Sequence, residues 1–142
     1  MTQALEELAA YVSDSKLGYQ KAAENALNPD HQTVYHQLAE QRTGFLSEIN
    51  GIIRGHGGQT EKSRVIEDEL YRQWVDTQAN LTGGDDETLV QGNIKGEEWT
   101  AKAYDQALAN PELPAPERQI LEDQHKEIQA TQTQLQGMRL SS

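Results

Sequence analysis

Apolar residues recur along this chain at alternating three- and four-residue steps, the spacing that lines up side chains on one face of a helix. Between about residues 86 and 110 the stripe is Leu89, Asn93, Glu97, Thr100, Tyr104 and Leu108. An amide and a carboxylate in the middle of an inward stripe must face a polar layer or a metal, so this helix poses the functional question. Ahead of it, residues 2–28 carry the stripe Leu5, Leu8, Val12, Tyr19, Ala22 and Ala26, with Ser15 at the intervening inward position. Asn28-Pro29-Asp30 breaks that run, because proline disfavours helical geometry in the residue before it and suits the first turn of a new helix. The second helix spans about 30–54 on Val34, Leu38, Gln41, Phe45, Ile49 and Ile52. It stops at Gly55-His56-Gly57-Gly58, where glycines permit a left-handed close.

Residues 59–86 are too many for a tight turn. Val65, Ile66, Leu70, Trp74 and Leu81 keep a helical period there, which predicts a crossover helix over about 63–81. Trp74 would anchor it on the bundle or, with Leu70, form a dimer contact. Thr82-Gly83-Gly84 ends it, and Asp85-Asp86 supply acidic groups for the free amides of the next helix. After Pro111-Glu112-Leu113-Pro114-Ala115-Pro116 a last helix covers about 116–139, with Leu121, His125, Ile128, Gln132, Leu135 and Met138 inward. There is no strand pattern. The expectation is all-α: one domain over 1–142, a four-helix bundle of the ferritin-like kind with a helical crossover between helices 2 and 3.

Composition narrows the chemistry. The 142 residues include no cysteine, which removes disulfides, thiolate metal sites and cysteine nucleophiles. Against 12 basic residues stand 23 acidic ones, a formal net charge of −11. That balance repels phosphate backbones and anionic lipid, so nucleic acid and membrane are not expected partners. No run reaches the roughly 20 apolar residues that span a bilayer, and no secretory leader pattern opens the chain, so a cytoplasmic protein is expected. No catalytic triad, phosphate loop or dinucleotide fingerprint is present; Gly55-His56-Gly57-Gly58 follows a helix, not a strand.

Several local strings resemble a known family. They are Gly18-Tyr19 with Ala22-Ala23-Glu24, Leu38-Ala39-Glu40-Gln41-Arg42, Trp74 with Leu81-Thr82-Gly83-Gly84-Asp85-Asp86, and Gly96-Glu97-Glu98 with Lys102-Ala103-Tyr104. Together they look like a bacterial ferritin-like four-helix-bundle family catalogued as a domain of unknown function. The resemblance implies the bundle and no activity. It also shows a departure, since Gln132 stands where such sequences often carry a histidine.

Two readings of the bundle's centre follow. A di-iron centre needs a Glu from each of two helices and a Glu-x-x-His pair from each of the other two. One such pair exists, Glu122 with His125. Glu97 adds a carboxylate, and Glu24 and Glu40 are weaker candidates, but Thr43 stands where the second helix would need its histidine. His36 and Glu40 could share a surface face and nothing more. The other reading is a buried polar layer of Ser15, Gln41, Glu97 and His125, satisfied by mutual hydrogen bonds. Tyr19 and Tyr104 are expected as core aromatics with tethered hydroxyls. The favoured expectation is a non-catalytic bundle without cofactor, acting structurally or through a homodimer; the alternative is a metal-binding, ferroxidase-like protein with an incomplete ligand set.

Overall fold

A computed structural model describes residues 2–58 and 85–141. Its elements are α1 (Thr2–Asn25), α2 (Pro29–Gly55), α3 (Asp86–Leu108) and α4 (Ala115–Ser141). Among the described residues there is no strand, and no helix is long and apolar enough to cross a membrane. The expected crossover helix over 63–81, with Trp74 and Leu70, lies outside the described residues.

Local chemistry sets the helix ends. α1 stops at Asn25, earlier than the expected Asn28, because the next amides are used elsewhere: Leu27 N and Asn28 N donate to the Asp86 carboxylate at 2.7 and 2.9 Å. The first residue of α3 therefore clasps the α1–α2 turn. Asn28 caps α2, its Oδ1 accepting from Asp30 N at 2.8 Å and His31 N at 3.4 Å, with Pro29 in the first turn. At the far end Gly57 takes a φ of +79°, and Gly57 N and Gly58 N return to the carbonyls of Arg54 and Ile53. That is a Schellman close, which needs a residue free to turn left-handed. A Cβ on Gly58 would lie 2.7 Å from Ile53 Cγ2, so the chain passes too near for any side chain. Asp85 caps α3 through a 2.8 Å bond from Thr88 N.

These ends also give the topology. The start of α1 meets the end of α2 around Gly58, and the start of α3 meets the α1–α2 turn. His56 reaches Glu117 in the first turn of α4 at 2.6 Å. Consecutive helices of each pair are thus antiparallel, α2 and α3 are parallel, and the link between them joins opposite ends of the bundle. α1 packs along α2 and α3, and α4 along α3 and more lightly along α2, which leaves α2 and α3 diagonal to one another. The core is divided. One apolar cluster gathers Leu5, Leu8, Val12, Ile49, Ile53, Tyr104, Leu121 and Ile128. Another gathers Tyr19, Ala22, Tyr35, Leu38, Leu89, Val90 and Leu135. A polar layer lies between them.

Candidate functional site

The layer is built on Arg42 of α2 and Glu97 of α3, whose side chains are 0% and 2% exposed. Arg42 Nη1 donates to Glu97 Oε1 at 2.6 Å and Nη2 donates to Oε2 at 3.1 Å. This two-pronged pairing is the geometry that a planar guanidinium and a carboxylate share. The remaining donors are placed as well. Nη1 also donates to Ser15 Oγ at 2.9 Å, Nη2 to Thr131 Oγ1 at 3.5 Å, and Nε to Gln41 Oε1 at 3.3 Å. Tyr19 donates its hydroxyl to Glu97 Oε1. The Arg42 guanidinium lies over the Tyr19 ring at 5.3 Å and the Phe45 ring at 5.9 Å. Each of the four described helices contributes at least one of these groups.

The electrostatics follow from burial and neighbours. Burial alone would pull the Arg42 guanidinium down, but Glu97 and Tyr19 outweigh it and leave Arg42 above its ordinary value. Tyr19 is held well above the ordinary tyrosine range, first by burial and then by the Glu97 charge, with Arg42 opposing. A charged pair so enclosed is stable only because its donors and acceptors are matched.

A second polar group lies about two turns away along α4. Tyr104 donates to Gln124 Oε1 at 2.6 Å, and Gln124 Nε2 donates to Phe45 O at 3.4 Å and Glu48 Oε1 at 3.2 Å. Burial again raises the tyrosine, Tyr104, above its ordinary value.

The residues singled out in the sequence are distributed as follows. Ser15 and Glu97 lie in the buried layer. Gln41 is half-buried and accepts at its edge, while the neighbouring Arg42 takes the centre. His125 is not in the layer: it is half-buried, its ring stacked on Tyr104 at 5.8 Å and its Nε2 3.4 Å from Asp105 Oδ1. Thr131 and Gln124 hold the inward positions of α4 instead. Among the metal candidates, Glu122 is half-buried and Glu24 and Glu40 are exposed, as is His36. Among the described residues no three His, Asp or Glu side chains gather as a metal would require. The donors around Glu97 are a guanidinium and a phenol, a set that does not fit a di-iron centre.

Arg42 is the functional residue that pattern reading missed, although the signal was present. It stands four residues after Leu38 and seven before Ile49, in step with the core, and a lone inward carboxylate on α3 calls for a buried cation.

No curated protein and no solved structure is significantly similar to the chain. Residues 1–110, which hold the cap, the clasp and all of the polar layer except Thr131, match the family model described as "Domain of unknown function (DUF2383)". That match covers well over half of the sequence, and the chain belongs to this family of unknown function.

Proposed function

We propose that the protein is a non-catalytic ferritin-like bundle that acts as a structural or interaction module, with a homodimer as its working form. The observation that carries this reading is the Arg42–Glu97 pair: the one fully buried carboxylate among the described residues already has a fixed cation, held on both oxygens. The parallel α2 and α3, joined end to opposite end, support the ferritin-like part of the proposal. A carboxylate that served as a general acid or base would need an open face toward a substrate. Glu97 instead meets Arg42 and Tyr19 with its side chain almost wholly covered.

The alternative, a di-iron protein drawing on Glu97, Glu122 and His125, requires Arg42 to leave and α4 to turn by about one residue. Elemental analysis separates the two. The purified protein is exposed to Fe(II) without oxygen and then desalted. Iron well below one atom per chain, unchanged in the His125→Ala variant, is the expected result. Iron near two atoms per chain that is lost in His125→Ala overturns the proposal.

A further inference from the structure

α4 meets the rest of the bundle on an unusually narrow line. Among its described side chains the buried ones are Leu121, Gln124, Ile128, Thr131, Leu135 and Met138, at alternating steps of three and four. Their flanking residues are half-buried or exposed. This is a two-in-seven seam, narrower than the three-in-seven face of a helix committed to a globular core. Two of its six positions are polar. α1 differs: it buries Leu8, Ala9, Ala10, Tyr11 and Val12 in succession, wrapped from several sides. With less apolar area per turn, α4 is the least firmly held of the four described helices.

Its first turns are fastened to the base of the bundle. Arg118 donates to Leu108 O at 2.6 Å and to Asn110 O, closing the α3–α4 hairpin. His56 meets Glu117 beside it. The connector between the helices, residues 109–114, carries Pro111 and Pro114, which resist collapse into a continuous helix. With this base and the bonds of Gln124 and Thr131 broken, α4 can leave as a unit while α2 and α3 remain packed along α1.

We propose that α4 is an exchangeable helix: it leaves its seat and occupies the same seat in a second copy of this chain, giving a dimer in which each copy donates its α4. The polar seam selects that occupant. A helix without a hydroxyl opposite Arg42 and an amide opposite Tyr104 would leave buried donors unpaired, at a cost that a purely apolar match cannot offset. α4 of another copy restores every contact, so only the connector has to change. The inference goes beyond the reading of a non-catalytic bundle and does not depend on it.

The chain's lack of cysteine allows a direct test. Asp105→Cys with His125→Cys places one thiol on α3 and one on α4, at side chains now 3.4 Å apart. His56→Cys with Glu117→Cys gives a second pair, between the end of α2 and the start of α4 and away from the polar seam. Each double variant is partly unfolded in urea at high concentration, returned to native buffer and oxidised. Covalent dimers from both pairs, several-fold above those from the single-cysteine controls, are expected. In the unmodified chain, amide hydrogen exchange at α4 should run at least about tenfold faster than at the cores of α1 and α2. Disulfides formed only within one chain at every concentration, or α4 exchanging no faster than α1 and α2, overturn the proposal.

Discussion

A buried arginine is tolerable only if its five N–H groups all find acceptors, because an enclosed charge left unpaired costs several kcal/mol. In this bundle the five are shared among Glu97, Ser15, Thr131 and Gln41. The tyrosines obey the same economy of burial. Tyr19 and Tyr104 are held above their ordinary values and Tyr35 is pushed up to about 12, in each case chiefly by desolvation. Tyr35 lies against Asn93, which pulls the other way, yet its hydroxyl makes no hydrogen bond of normal geometry. The sign of the pH effect follows. The fold keeps these protons beyond pH 10, where an unfolded chain releases them, so their contribution is complete below about pH 10 and is lost as pH rises through the folded values. Tyrosinate absorbance should therefore lag the ordinary titration and appear together with loss of helical circular dichroism. Full ionisation near pH 10 with the helices intact would contradict this. The residue identities were the least legible part of the site. Arg42 and Gln41, like Gln124 and His125, are adjacent, and a one-residue error in the stripe exchanges one for the other. Arginine's usual place at the surface favoured the wrong member of the first pair.

At the scale of elements, helix termini carry the specificity. Pro29 and Asn28 announced the start of α2, and the glycines after Gly55 its end, because each residue type has a conformational reason to be there. The Asp86 clasp was not legible, since nothing in a sequence says that a carboxylate beyond the second helix will collect two amides from the first turn. Asn28→Ala removes the cap acceptor of Asp30 N and His31 N while leaving the clasp on its own amide. It should cost about 1 kcal/mol, read as a lower urea midpoint with an unchanged slope. A change in the slope would mean that the native packing had been altered as well. The stripes of α1 and α3 were largely readable from helical spacing, polar positions such as Asn93 and Thr100 included. In α4 the spacing placed Leu121, Ile128, Leu135 and Met138 inward as found, while the polar positions between them, Gln124 and Thr131, were read one residue late as His125 and Gln132.

At the scale of the molecule, the polar layer separates two apolar clusters and draws one or more groups from each of the four described helices. An all-apolar centre would allow helices to slide by a turn or to pair in another order. A fork of fixed geometry at mid-height permits one register. This assigns the buried Arg42–Glu97 pair to specifying the architecture. A double-mutant cycle on stability tests that claim most directly, with Arg42→Met, Glu97→Leu and the two combined, each unfolded in urea. Removing either partner strands the other, so each single variant should lose about 3–5 kcal/mol, whereas the double variant should be far more stable than the sum of the two losses predicts. Losses that simply add, or single variants as stable as the parent, would contradict the account: the pair would then be two independent groups, and the centre of the bundle would be free for another role.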